Sequence, residues 1–286
     1  MTWLTDPWAT ELVTRAGLEL VLLGILGGAL GVFVVVRGLP FTVEAFSHTV
    51  LPGAVVASAL GGSILLGGVV AGVAAAIGIA LASRAAHTAD ETAIGVVFTG
   101  MFALGVLLAY VLGPLDRDLS SLLFGDLLGV SRGDLVASTA IAVLVLGTLV
   151  ALRRPLIAGS FDRDSAEAAG LRPGAIDVIL LCVLALVVVV SIRAVGTVLV
   201  LALLITPAAS GRLLARRIGT TIAAAMAFGV ASGLGGLYLS FYADVAAGGA
   251  VVLVATGLFA ITWFASPRSG PLAMARRHRA GRPVPR

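Results

Sequence analysis

Apolar runs long enough to cross a membrane make up most of this chain. A bilayer core about 30 Å thick needs roughly 20 predominantly apolar residues per helix, and such runs recur from Gly17 to Phe264. Hydrophobic residues account for 59% of the sequence and charged residues for 12%, whereas a soluble domain carries about 25% charged residues. The sequence therefore predicts an all-α, polytopic transmembrane helical bundle.

Boundaries at charged residues, Gly and Pro divide the chain into eight or nine predicted spans. The second span is short, and a segment of fewer than about 17 apolar residues can dip into the membrane without crossing it. We expect residues 1–286 to form a single transmembrane domain, with a polar segment at 153–173 and an Arg-rich tail at 267–286. The predicted spans are approximately 17–36, 43–60, 64–82, 92–112, 135–152, 175–192, 195–214, 220–241 and 248–264.

The arginines indicate an orientation for these spans. Loops rich in Arg stay on the cytoplasmic side of a membrane, which places the tail, the 153–173 segment, the loop at 212–217 and the turn at Arg84 there. Nine spans then put the acidic N-terminus outside. Because the arginines cluster at span ends, anchoring in lipid explains the sequence pI near 10.2 better than binding of nucleic acid does.

One carboxylate and one imidazole interrupt the second apolar run. Glu44 and His48 stand four residues apart, and on a helix this spacing brings two Cβ atoms to about 5–6 Å. An ionisable residue inside a membrane span by default marks a path for an ion or a proton. The pair is suited to binding one cation, although a lone His in a helix is also often a hydrogen-bonded packing residue.

The chain contains no Lys, which excludes a standard ATP-hydrolysing Walker A site within this chain. A standard Walker A motif uses its Lys to reach the β- and γ-phosphates of ATP. If ATP drives transport through this chain, another subunit must therefore hydrolyse it.

The polar segment at 153–173 has the signals of a short amphipathic helix on the cytoplasmic surface. Ser160 is a candidate N-cap, and Gly170 is a natural C-terminal stop. Phe161 and Leu171 would provide apolar contacts. Two interpretations stay open from the residues alone: a loop lying on lipid headgroups, and a docking site for a soluble partner.

Pro207, which follows Thr206 in the seventh predicted span, lacks the N–H of a helical residue and should kink this span. Thr206 or Ser210 could hydrogen-bond the backbone groups that the proline frees. The kink is interpreted either as a gating hinge or as a static bend.

Six ordered blocks of the chain resemble the permease subunits of ATP-binding cassette (ABC) importers for zinc, manganese and iron(II), the ABC-3 type. The first block, Glu44 to Gly53, is similar to D-A-L-S-H-A-V-L-P-G of that family, with Glu in place of the first Asp. The other blocks are residues 90–105, 123–131, 161–171, 195–209 and 239–244. Because the blocks extend over about 200 residues, the match is specific.

The resemblance implies a permease dimer in a prokaryotic cell membrane, with a cytoplasmic ATP-binding subunit and an extracellular or periplasmic metal-binding protein as partners. It implies a transporter subunit and no enzyme, with a divalent metal ion as the transported substrate and no permanently bound cofactor. Glu44 and His48 would contact the metal, and the longer Glu side chain alters the geometry of the site. The implied ATPase-coupling residues are Phe161, Asp162, Glu167, Gly170 and Leu171.

Three other functions stay open. A permease for iron chelates or cobalamin needs a roomier pathway and no ligand pair. A secondary, proton-coupled metal carrier would use Glu44 and His48 as a relay and would need no ATPase. A structural scaffold leaves the intramembrane pair unexplained. The metal is also open, because imidazole and carboxylate accept Zn(II), Mn(II) and Fe(II).

Overall fold

The computed structural model describes residues 8, 10–86, 90–112 and 125–266. These ranges are helical and contain no strand, so the predicted all-α class is confirmed. The predicted tail at 267–286 lies outside the described residues. The helices within these ranges are α1 Glu11–Val36, α2 Pro40–Thr49, α3 Leu51–Ala59, α4 Ile64–Ala86, α5 Asp90–Leu112, α6 Arg132–Ala151, α7 Arg153–Phe161, α8 Arg163–Ala168, α9 Pro173–Leu214, α10 Ile218–Ala243 and α11 Ala247–Ala265.

Eight segments of the described chain have the length and the apolar composition to cross a membrane. Six are the helices α1, α4, α5, α6, α10 and α11, and α9 supplies the other two as Pro173–Ile192 and Ala194–Leu214. These segments agree with eight of the nine predicted spans. The prediction of a multi-pass membrane protein is thereby confirmed.

The predicted second span folds as two short helices, α2 and α3, which meet at Val50. Val50 keeps right-handed helical dihedral angles (φ −70°, ψ −25°), and Pro52 occupies the first turn of α3, where a missing N–H is tolerated. At 1.5 Å per residue, residues 40–59 extend about 30 Å, which matches the thickness of a bilayer core. The two helices are therefore long enough to cross together.

A cavity of about 290 Å³ lies where the residue before α2 approaches the end of α4. Leu39, next to the start of α2, and Ser83, near the end of α4, both line this cavity. Ile64, at the start of α4, lies roughly 28 Å from Ser83 along the helix axis. Because the chain runs from Leu39 to Ile64 through α2 and α3, these helices are placed to extend along α4. A full crossing by this pair, and with it a ninth span, stays a prediction.

The polar segment at 153–173 and the end of α4 both line this cavity. Gly159, Ser160 and Arg163 line the cavity together with Asp177 of α9. The orientation predicted from arginine placed the turn after α4 and the 153–173 segment on one side of the membrane. Ser83, one residue before Arg84, lines the same cavity as Ser160 and Arg163, and the side of the membrane on which they lie stays a prediction.

The break within α9 lies at Gly196, the one residue of this helix with non-helical dihedral angles (φ 74°, ψ 169°). Glycine adopts such angles readily, while residues with a Cβ rarely do. The loop before α6 packs onto the break, since a Cβ on Gly125 would lie 2.5 Å from the backbone nitrogen of Gly196. The predicted boundary between the sixth and seventh spans therefore coincides with this break.

Pro207 keeps helical dihedral angles within the second half of α9. Its missing N–H leaves the carbonyl of Leu203 without a helical donor, and that oxygen lies 2.7 Å from where a Cβ on Gly27 would stand. Ser210 Oγ donates to the carbonyl of Thr206 at 2.9 Å. The expected hydroxyl contact thus forms with a carbonyl other than the freed one. A hinge at Thr206 and Pro207 stays a prediction.

The chain divides into two compact units, one within Met1–Val35 and Ala202–Arg286 and the other within Val36–Leu201. Glycines bring helix backbones together inside each unit, as expected where packing replaces a hydrophobic driving force. A Cβ on Gly24 would lie 2.6 Å from the carbonyl carbon of Gly229 in the first unit. The second unit contains α2 to α8. The single-domain organisation stays a prediction.

Candidate functional site

Helix α2 carries both residues predicted to contact the metal. Its buried side includes Val43 and Phe46, whose side chains are fully enclosed. Glu44 and His48 lie on its accessible side, where their side chains are 44% and 31% exposed. The apolar side fixes the orientation of α2, so the accessible side presents the carboxylate and the imidazole together.

The two side chains are in contact. Glu44 Oε1 lies 3.3 Å from His48 Nε2, at the outer limit of a hydrogen bond. This contact confirms the geometric part of the sequence prediction, since the four-residue spacing does bring an oxygen donor and a nitrogen donor to one place. The role of the pair as a metal ligand stays a prediction.

Two aromatic residues of α5 support the imidazole. The ring of His48 lies 5.6 Å from that of Phe98 and 5.8 Å from that of Phe102, measured between centroids, and the Phe102 ring packs edge-on. Such ring pairs contribute about 0.5–1.5 kcal/mol beyond their buried area. The aromatic contacts restrict the imidazole to the vicinity of Glu44.

The neighbouring hydroxyls of α2 are occupied by the backbone. Ser47 Oγ donates to the carbonyl of Val43 and Thr49 Oγ1 to that of Phe46, each at 3.1 Å. These side chains are buried and do not offer donor atoms on the accessible side. Within α2, that side presents its metal-binding chemistry through Glu44 and His48.

The pair offers only part of a coordination shell. In the described part of the chain, no three His, Cys, Asp or Glu side chains lie close enough together to hold a metal ion. Transition metals in proteins take four or more ligands. Two donors from one protomer therefore suit an ion that keeps some water or receives further ligands from a second chain.

The predicted coupling segment folds as two short helices, α7 and α8. The N-cap of α8 is Asp162, whose Oδ1 accepts a hydrogen bond from the N–H of Ser165 at 3.0 Å. Ser160 was expected to be the cap, and this prediction is wrong. Ser160 belongs to the last turn of α7, where its Oγ donates to the carbonyl of Leu156 at 2.6 Å.

The end of α8 is confirmed at Gly170. This residue has a positive φ of 80°, which glycine adopts without a steric penalty. The N–H of Gly170 donates to the carbonyl of Glu167 at 2.9 Å, and the N–H of Leu171 donates to that of Ala166 at 3.1 Å. These two bonds form a Schellman motif, which ends the helix and directs the chain toward α9.

The surface of α7 and α8 presents an apolar ring beside carboxylates. Phe161 is 73% exposed, and Asp162 and Glu167 are also exposed. The hydroxyl of Ser165 donates to Asp162 Oδ2 and its N–H donates to Oδ1, and these bonds lower the pKa of the Asp162 carboxyl below its ordinary value. An exposed Phe with nearby negative charge is suited to contact with a protein partner.

Several ionisable residues of the structure escaped the sequence analysis. Glu19 is buried inside α1 with 1% of its surface exposed, and the rule that singled out Glu44 applies to it as well. Asp177 lies inside the predicted sixth span and pairs with Arg37 and Arg163. Arg37 resembled an ordinary anchor at a span end, so its partner could not be inferred from its position in the sequence.

Comparison with known proteins identifies the family. Residues 9–266 match the ABC 3 transport family. The manganese transport system membrane protein MntC of Halalkalibacterium halodurans is 40% identical over 252 residues, which cover 88% of this chain and 86% of that protein. The chelated iron transport system membrane protein YfeC of Yersinia pestis is 30% identical over 282 residues, which cover 99% of this chain and 96% of that protein.

A solved structure agrees with this match. PsaBC from Streptococcus pneumoniae, in complex with Fab, superposes with a TM-score of 0.84 at 31% sequence identity, covering 96% of this chain and 98% of that one. The family expected from the sequence blocks is thereby confirmed, and so is a multi-pass permease of a prokaryotic plasma membrane. This chain belongs to the ABC 3 transport family.

Proposed function

We propose that this permease imports a divalent transition-metal ion, namely manganese, iron(II) or zinc, and that Glu44 and His48 bind the ion on its way through the membrane. The observation that carries the proposal is the 3.3 Å contact between Glu44 Oε1 and His48 Nε2 on the accessible side of α2. The names of the relatives, which refer to manganese and to chelated iron, support the class of substrate.

The chemistry of the pair suits transport better than storage. A conducting site must bind its ion well enough to replace part of the hydration shell and weakly enough to release it. One carboxylate oxygen and one imidazole nitrogen from a protomer meet this requirement. Both groups bind metal in their deprotonated forms, and a carboxylate–imidazole set does not by itself select among the three metals.

A second copy of the permease would complete the site. Because Glu44 and His48 are 44% and 31% exposed in the protomer, a partner related by a two-fold axis can bring a second pair to the same ion. The set would then contain four protein ligands. We expect a homodimer or a heterodimer with a related permease, surrounded by lipid.

Transport would depend on two further partners. The chain has no Lys for a Walker A motif, so a cytoplasmic ATP-binding subunit would hydrolyse ATP and dock on α7 and α8. A metal-binding protein outside the membrane would deliver the ion and make most of the choice between metals. The exposed Phe161 and the carboxylates of Asp162 and Glu167 support the docking surface.

Uptake of radioactive manganese into proteoliposomes tests the proposal, with the permease reconstituted together with its ATPase and binding protein. His48→Ala and Glu44→Gln should abolish uptake while the complex still assembles. Glu11→Gln, which changes an exposed carboxylate in the first turn of α1, should leave uptake unchanged. Normal uptake by the His48→Ala complex removes the site assignment.

Transport of a chelated metal is the second candidate, because YfeC is named for chelated iron. A chelate brings its own ligands and has no need of a protein carboxylate–imidazole pair. Uptake of a chelate that persists in the His48→Ala complex, with loss of free-ion uptake, would favour this candidate. A proton-coupled carrier is distinguished by uptake that continues without ATP.

A further inference from the structure

Arg37 makes a partly buried contact with the predicted coupling segment. Its Nε donates to Ser160 Oγ at 2.9 Å and its Nη2 to the carbonyl of Leu156 at 3.2 Å. Both acceptors belong to α7, and the Arg37 side chain is only 10% exposed. The guanidinium group therefore holds α7 through two of its nitrogens.

The third nitrogen of Arg37 binds the start of α9. Nη1 lies 2.5 Å from Asp177 Oδ1, and the second oxygen of Asp177 lies 2.8 Å from Arg163 Nη2 on α8. Charge-assisted contacts of this kind are stronger than those between neutral groups. Asp177 is 27% exposed and Arg163 is 56% exposed, so the pair with Arg37 is the better shielded of the two.

Arg37 is also close in sequence to the candidate metal site. Only Gly38 and Leu39 separate it from Pro40, the first residue of α2, and Glu44 follows one turn later. A helix transmits a displacement of one end to the other because it is stiff along its axis. A shift of α7 would thus reach Glu44 through a connection of two residues and one helical turn.

A cavity beside the contacts of Arg37 leaves space for such a shift of α7. Arg37, Ser160, Arg163 and Asp177 all line the cavity of about 290 Å³. A densely packed interface between helices would resist a change in their spacing. A cavity at the junction of α7, α8 and α9 allows these helices to change their spacing while the charged contacts persist.

We propose that Arg37 is a positioning residue that joins the coupling helices to α2, so that movement of α7 and α8 on the ATPase changes the placement of Glu44 and His48. This inference rests on the proposed function. The support for it is a continuous set of charged contacts from Arg37 through Asp177 to Arg163, and such contacts can carry coupling between distant sites. Arg37 itself does not bind the transported ion.

The test measures metal uptake per ATP hydrolysed in the reconstituted complex, with Arg37→Ala, Arg37→Lys and Asp177→Asn. Coupling energies between sites commonly correspond to factors of about 5–150. We expect Arg37→Ala to lower uptake per ATP by about fivefold or more, while manganese binding to the permease stays intact. Arg37→Lys keeps one charged contact and should restore part of the ratio.

Arg15→Ala is the matched control, because Arg15 also pairs with a carboxylate, that of the exposed Glu11 within the same helix α1, at 2.6 Å. It should leave uptake per ATP unchanged. If Arg37→Ala does not assemble, Ser160→Ala removes one acceptor of the same guanidinium and takes its place in the test.

Two results overturn the inference. One is an unchanged ratio of uptake to hydrolysis in both Arg37→Ala and Asp177→Asn. The other is a loss of uptake and hydrolysis in equal proportion with no recovery by Arg37→Lys, as a folding defect would produce. Absence of metal uptake by the wild-type complex contradicts the proposed function itself, and the two failures are therefore distinguishable.

Discussion

His48 Nε2 lies 3.3 Å from Glu44 Oε1, and the two residues occupy successive turns of α2. Their backbone spacing is a consequence of helical geometry, while their accessibility depends on the burial of the opposite side of α2. Phe98 and Phe102 hold the imidazole from the side of α5. The pair is thus preorganised and still reachable by an ion.

Substitutions of Glu44 should separate the effect of its charge on metal uptake from the effect of its side-chain length. Glu44→Asp keeps the carboxylate and matches the family's first block, so we expect uptake to persist. Glu44→Gln keeps the size but removes the negative charge, and uptake should fall by about tenfold or more, since even indirect partners of metal ligands contribute 10–100-fold to affinity. Transport assays on both variants check this, and equal rates for the two would contradict a ligand role.

Gly53, where α3 packs on α4, should tolerate no side chain. A Cβ on Gly53 would lie 2.0 Å from the carbonyl oxygen of Gly67 and 2.7 Å from the Cβ of Ala71. Gly53→Ala should therefore separate α3 from α4 and lower the melting temperature of the purified permease by several degrees, which corresponds to about 1–3 kcal/mol of overpacking.

The control for Gly53→Ala is Gly147→Ala in α6, where a Cβ meets nothing within 4 Å. Alanine is the better helix former by about 1 kcal/mol, so Gly147→Ala should keep or raise the melting temperature. If both variants melt alike, close packing of α3 and α4 does not limit the stability of the permease.

The stability that the Asp162 cap gives to α8 should depend on pH. The bonds from Ser165 lower the pKa of the Asp162 carboxyl, so the cap contributes fully above the ordinary pKa of Asp. This contribution is lost as the pH falls through the lowered value. Hydrogen exchange at the amide of Ser165 should then accelerate. Asp162→Asn retains a capping oxygen without a charge and should remove the pH dependence, and an unaltered dependence in that variant would contradict the assignment.

Phe161 should contribute to binding of the ATPase subunit. Its ring is 73% exposed in the permease, and buried aromatic residues are frequent centres of interface energy. Phe161→Ala should weaken assembly with the ATPase by about 2 kcal/mol or more, measured by co-purification and titration. Phe241→Ala removes an exposed ring of α10 and should leave assembly intact. Equal affinity of both variants would show that α7 does not form the docking surface.

Local patterns account for the features that the sequence predicts correctly. Apolar length determines the spans, and the spacing of four residues determines the contact between Glu44 and His48. The end of α8 at Gly170 is predictable because it depends on the residue type alone: glycine adopts the positive φ that a helix end of this kind requires. The cap of α8 was misplaced because Ser160 and Asp162 are both capping residues, and only the break between α7 and α8 decides which one acts.

Contacts between distant residues account for what the sequence does not predict. Arg37 and Asp177 are 140 positions apart, and each resembles an ordinary charged residue near a span end. Their pairing depends on the tertiary packing that places residues of α7, α8 and α9 around one cavity. The sequence predicts a span boundary near Gly196, but the packing of Gly125 against it is a contact between distant residues that no local pattern indicates.

Pulsed EPR of Mn(II) bound to the assembled complex tests the central claim most directly. The wild-type protein should show nitrogen hyperfine coupling from a coordinated imidazole, and His48→Ala should lose this coupling while the complex remains assembled. Retention of an unchanged nitrogen coupling in His48→Ala, or its absence in the wild-type complex loaded with manganese, would contradict the assignment of His48 as a ligand of the transported ion.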